Sequence, residues 1–220
     1  MLTKLLAITI ILGVAVGCKN DNSDRPMKPP YEPNYVSAVS PVTWPDDVKT
    51  ITYSITNADS SIPFVDAEKA VIAGVNQWEQ SLDGFKSLSK VSVITSDIPA
   101  LVEIRFVSTT EMMIAAGRQG VAGYTTLAYR QDGRLKSATC LIVNNKLPTE
   151  LKKIAAHEFG HAMGMRGHSP NKNDLMSPSP SILAGVNNTD HNTMRSIYDP
   201  AAKLPKSTRS TNKPSDSFVD

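Results

Sequence analysis

Residues 157–168 read HEFGHAMGMRGH, and this stretch decides how the surrounding chain has to fold. His157 and His161 are four apart, a spacing that on a helix projects both imidazoles from one face, close enough to share a metal ion. Glu158 stands beside the first of them, placed to reach a water activated by that metal without binding the metal itself. Ala155, Ala156, Gly160 and Ala162 give the helix small side chains for close packing, and Gly164 lets it stop and the chain turn. His168 follows that turn. The chain has four histidines in all and three of them lie here, which weighs against surface or core histidines gathered by chance.

A metal site needs at least a third ligand. No glutamate occurs after Glu158, so a carboxylate of that kind from a later helix is not available. The candidates are His168, Asp174, Asp190, His191 and Asp199. His168 fits best, because a glycine-mediated turn brings it back under the helix. His191 falls in the first turn of the last predicted helix and reads better as a solvated side chain.

Working outward, Thr149–Gly164 is the helix that carries the motif. Before it, Val121–Arg130 and Leu135–Asn144 flank an Asp132-Gly133 pair and predict a hairpin. Val48–Thr56, Val91–Thr95 and Val102–Val107 read as further strands. Asp66–Leu82 places Ala67, Ala70, Val71, Val75, Trp78 and Leu82 at helical spacing, with Asp66 as its cap. The last helix is predicted over Thr189–Tyr198, opened by Thr189 or Asp190. This order describes a mixed α/β domain over residues 45–200, with helices packed on one sheet.

The 220 residues suffice for one domain with appendages, and 40% hydrophobic with 20% charged residues is ordinary for a globular protein. A net charge of +2 without a basic stripe argues against nucleic acid as an obligate partner. Residues 1–18 read MLTKLLAITIILGVAVGC, a Lys4 n-region and an apolar run too short for a membrane span. They end in Ala15-Val16-Gly17-Cys18, which resembles a bacterial lipobox. Cys18 would then be acylated and anchor the chain to the cell envelope, at the outer membrane in a Gram-negative host, since no Asp follows the cysteine. Residues 19–44, rich in proline, predict an extended tether, and 201–220 a disordered tail. Cys140, left without a partner, reads as an inert core thiol.

HEFGHAMGMRGH, followed by Asp174-Leu175-Met176 within SPNKNDLMSP, resembles the metzincin metallopeptidases and their matrixin branch. The resemblance implies a twisted, mainly parallel five-stranded sheet with an antiparallel edge strand, an active-site helix, a Met-turn and a C-terminal helix. It implies one Zn(2+) per chain on His157, His161 and His168, Glu158 as general base, and Met176 as the floor beneath the histidines. Nothing in the sequence spells a calcium site. The usual spacing puts the third histidine at position 167; here that position is Gly167 and the histidine comes one residue later. Gly167 is expected to absorb the extra residue in a left-handed conformation. A similar expansion occurs in archaemetzincins, whose cysteine cluster this chain lacks.

The resemblance implies a zinc endopeptidase whose peptide substrate adds as a strand along Val121, Ala122, Gly123 and Tyr124, with Pro178, Pro180 and Ile182 walling a pocket beyond the scissile bond. Two other readings stand beside it: a zinc-binding envelope lipoprotein without proteolysis, and a zinc hydrolase acting on a cell-wall amide.

Overall fold

Alternating apolar and polar residues in Thr50–Asn57 form strand β1, with Ile51, Tyr53 and Ile55 turned into the core. The computed structural model describes residues 29, 31–57, 63–92, 99–180, 184–202 and 215–219, the last five through their backbone. Helix α1 (Phe64–Val75) continues through one 3-10 turn into α2 (Glu79–Leu82), so the helix expected over Asp66–Leu82 is present but broken. It begins before Asp66, which lies in its first turn. Strands β2 (Ser87–Lys90), β1, β3 (Val102–Val107) and β5 (Leu135–Val143) are mutually parallel. Strand β4 (Gly123–Tyr129) runs antiparallel to β5 through the predicted turn, where Gly133 takes a positive φ of 74°. This is the expected five-stranded sheet, with one addition: β6 (Ser215–Val219) lies antiparallel along the outer side of β4.

Helix α4 (Pro148–Ala162) crosses one face of the sheet and packs on α1. The helices meet closely at Gly74, where a Cβ would lie 2.4 Å from the Lys152 carbonyl oxygen. Trp78 closes the joint between α1 and α2 by donating its indole N–H to Ala156 O at 2.8 Å. Val102, Ile104, Phe106, Ala138, Cys140 and Ile142 fill the core on this face. Val107, Leu141 and Val143 face the other side and pack with Met112 of α3 (Thr109–Ala116). Helix α5 (Asn188–Tyr198) is the C-terminal helix, capped by Asn187 rather than by Thr189 or Asp190.

Four points differ from expectation. The strand expected at Val91–Thr95 is found earlier, as β2 over Ser87–Lys90, with Val91 and Ser92 after its end and 93–95 outside the described residues; its polar SLSK edge carries no apolar signal because it is open to solvent on most sides. Helix α3 was not predicted, although Ser108 and Glu111 form a full capping box at its start. Its weak amphipathicity hid it. Residues 31–44, counted with the tether, pack onto the domain, with Tyr31, Tyr35, Val39 and Trp44 buried. At the other end 215–219 form β6, where a disordered tail was expected. The leader, Cys18 and residues 19–28 lie outside the described residues. Among the described residues no helix is long and apolar enough to cross a membrane.

The packed N-terminal segment completes the end of α4. Gly164 takes φ 102°, Gly164 N–H bonds His161 O at 2.8 Å and Met165 N–H bonds Gly160 O at 3.2 Å, the two bonds of a Schellman motif. The next two carbonyls are met from elsewhere: Trp44 Nε1 donates to Ala162 O at 3.1 Å, and the Tyr198 hydroxyl to Met163 O at 2.7 Å. Four carbonyls that a helix end leaves over thus all have donors. Trp44→Phe keeps the ring but strands a buried carbonyl, and is expected to cost about 1–3 kcal/mol of unfolding free energy by urea titration. Trp44→Ala should cost more, on the order of 3–5 kcal/mol, through the cavity it leaves.

Candidate metal centre

His157 and His161 project from the last two turns of α4 into the protein, and the turn after Gly164 returns His168 to meet them. One ligand atom from each of the three lies within 4.8 Å of the others. The ring centroids are 5.0, 5.5 and 4.9 Å apart, a nearly equilateral triangle. The backbone orients two of the rings. His157 Nδ1 bonds Leu175 O at 2.6 Å, and His161 Nδ1 bonds Met165 O. A carbonyl can only accept, so Nδ1 carries the proton in each ring and Nε2 keeps the lone pair that a metal needs. Three imidazoles fit zinc, whose bonds of about 2.0–2.1 Å to nitrogen require tetrahedral donors roughly 3.4 Å apart.

The other candidates for the third ligand have structural work. Asp174, buried, accepts from Ser169 Oγ and from Asn187 Nδ2 at 2.9 Å. Asp199 accepts from the Tyr31 hydroxyl. His191 is not a solvated side chain: it is partly buried against α2, where Nδ1 bonds Ser81 Oγ, and burial and then Arg195 hold its pKa down. Gly167 does not take a left-handed conformation. A glycine is needed there for another reason, since a Cβ would sit 2.6 Å from Ala38 O. At Gly164 it would sit 1.8 Å from Val42 O, and Val42 N–H in turn bonds Gly164 O at 3.0 Å. The loop that delivers His168 is therefore pressed between α4 and the N-terminal segment.

The chain after His168 closes on itself, Ser169 N–H bonding Met176 O at 2.7 Å. Met176 is fully buried against α4, and Gly160 makes the approach possible: a Cβ there would be 2.4 Å from Met176 Sδ. Asp190 of α5 ties this turn down. Its carboxylate accepts from Leu175 N at 3.0 Å, from Asn187 N at 3.0 Å and from the Tyr35 hydroxyl. Burial pushes the Asp190 carboxyl up, opposed by the Tyr35 hydroxyl and then by backbone amides. Leu175 is also the residue whose carbonyl orients His157, so one buried carboxylate sets both the turn and, through it, a histidine.

Glu158 is buried beside the triad, its Oε2 receiving a hydrogen bond from Thr125 Oγ1 of β4 at 2.5 Å. Gly123 lets the carboxylate approach the strand, since a Cβ would fall 2.1 Å from Glu158 Oε1. Cys140 lies next to Thr125, and its thiol, pushed up by burial and then by Glu158, donates to Glu158 O at 3.6 Å. A cleft of about 670 Å³ opens beside these groups, lined among others by Gly123, Ile154, His157, Glu158, Pro178 and Pro180. Pro178 and Pro180 are where a pocket wall was expected; Ile182 lies outside the described residues. Of the expected substrate strand, Gly123 and Tyr124 belong to β4, while Val121 and Ala122 precede it. Tyr124 and Tyr129 pack against the two cores. Sequence reasoning missed Thr125, one threonine in a strand, and the tie made by Asp190; it named Gly123 only for the substrate edge, and a glycine inside a predicted strand was the available signal for its close approach to Glu158.

If the three imidazoles hold the ion, chelation should lower the melting temperature of the zinc-loaded protein by about 5–10 °C. In His168→Ala the chelator should move it little, and elemental analysis should find the variant depleted of zinc.

A search of curated proteins found no relative of this chain. A family model does match: that of the peptidases described as Matrixin, over residues 43–199. The matched span takes in all three histidines, Glu158, Met176 and every strand but β6. It covers well over half of the chain, and the chain belongs to the matrixin family of zinc metallopeptidases.

Proposed function

We propose that the chain is a zinc-dependent endopeptidase, with His157, His161 and His168 as the metal ligands and Glu158 as general base. The observation that carries this is the position of the Glu158 carboxylate, beside the triad and at the wall of a cleft that a peptide can enter. Zinc, when bound, supplies Lewis acidity, polarising a peptide carbonyl and lowering the pKa of water toward about 7. The chain's own groups do the rest. Glu158 takes a proton from the attacking water and passes it to the leaving amine. Thr125 donates to Oε2, which fixes the carboxylate plane and leaves Oε1, on the Gly123 side, to handle the proton.

Substrate selection follows from the walls. A peptide laid along the outer edge of β4 satisfies its backbone by strand addition and sends one side chain into the cleft. Leu147, Ile154, Pro178 and Pro180 give that cleft an apolar lining suited to a hydrophobic side chain. The lipobox at Cys18 supports an acylated, envelope-anchored enzyme that acts on proteins near the membrane surface.

The test is zinc content by elemental analysis together with cleavage of unstructured casein, the protein beside its Glu158→Ala variant. One zinc per chain in both, with cleavage reduced on the order of 10²–10⁴-fold in the variant, is the expected result. Zinc without cleavage of casein or of a broad peptide library would leave a binding protein or a hydrolase of another amide. Thr125→Val should lower kcat about tenfold with KM and zinc content unchanged, and Thr125→Ser should restore it.

A further inference from the structure

The outer edge of β4 is already in use. Residues 215–219 pair with it antiparallel, Val219 opposite Tyr124, Phe218 opposite Thr125, Ser217 opposite Thr126, Asp216 opposite Leu127 and Ser215 opposite Ala128. The strand therefore runs from the far end of β4 toward Gly123, the residue that backs onto Glu158. The cleft opens at the other side of that point, against Gly120, Ala122 and Gly123. β6 thus covers the half of the edge that leads up to the reacting groups and stops short of the half that leads away.

A strand edge offers one row of N–H and C=O groups, and two strands cannot pair with the same row. From this we infer that residues 215–219 are an internal competitor for the peptide-binding edge, occupying the positions of substrate residues on the amino side of the scissile bond. The inference rests on the endopeptidase reading. It is distinct from latency by a metal-binding thiolate, for which the sequence has no second cysteine near its N-terminus. Composition makes the competitor displaceable. Ser215, Asp216 and Ser217 are poor strand formers, and only Phe218 and Val219, at the end nearest Glu158, favour the extended form. Five residues gain few ladder bonds against the entropy of ordering them, so the strand and a good substrate compete on near-equal terms.

A competitor of this kind raises apparent KM by the factor that reduces the open population, and leaves kcat alone. Val143 N–H bonds Ala122 O, so alternate β4 residues from Gly123 turn their backbone groups outward, and Phe218→Pro, opposite Thr125, removes a β6 amide that faces β4 without touching residues 43–199. With a fluorogenic peptide substrate, apparent KM is expected to fall at least about threefold in the variant at unchanged kcat and melting temperature. A synthetic peptide of residues 211–219 should inhibit the variant competitively. Hydrogen exchange gives a second readout independent of turnover: amides of β4 protected in the full chain should exchange faster in the variant. Equal KM and equal exchange in two proteins that both cleave would overturn the inference and leave the peptidase standing. Absence of cleavage in both, at one zinc per chain, would remove the peptidase reading and the competitor with it.

Discussion

Everything at the metal centre depends on ending α4 abruptly. Two histidines four apart on a helix can contribute only from one side, and the third has to arrive from below within a few residues. The Schellman turn at Gly164 does this, and it leaves carbonyls that water cannot reach. Trp44 and Tyr198, from the two ends of the domain, supply the missing donors. The helix end is therefore a point where segments 31–44, α4 and α5 are fixed to one another by hydrogen bonds rather than by apolar contact alone.

A second layer of polar contacts holds the ligands at one remove. Asp190 draws together the 175–176 backbone, the start of α5 and Tyr35, while Asp174, Ser169 and Asn187 pin the loop between His168 and Met176. Buried carboxylates are costly unless their lone pairs are met, and here several donors converge on each. Such an arrangement fixes geometry more than it adds stability. Carbonyl oxygens of Leu175 and Met165 then set the tautomers of two imidazoles. Support of this sort fixes the orientation of the His157 and His161 rings.

The helix-borne motif was legible in the sequence because its information is local: spacing sets the face, and a glycine sets the stop. The same holds for β1, β3, the β4–β5 hairpin and the last helix. What could not be read is what depends on distant partners. Thr125 is an ordinary strand residue until the fold sets it against Glu158, and Asp190 looks like a helix cap until Tyr35 and the 175–176 backbone converge on it. Gly167 shows the same limit, since a spacing argument predicted an unusual backbone where the actual constraint is the neighbouring Ala38 carbonyl. Proline content in residues 31–44 suggested a free tether, but Tyr31, Tyr35, Val39 and Trp44 were the contrary signal: four large apolar side chains that water disfavours.

Docking of the chain from Tyr31 onward also fixes a length. If Cys18 carries the lipid, twelve residues separate it from Tyr31, the first buried side chain among the described residues, a leash of at most about 45 Å when fully drawn out. That is comparable to the diameter of the domain itself. The cutting edge would sweep a shell one molecule deep over the membrane, and targets would be selected by height above the lipid as much as by sequence.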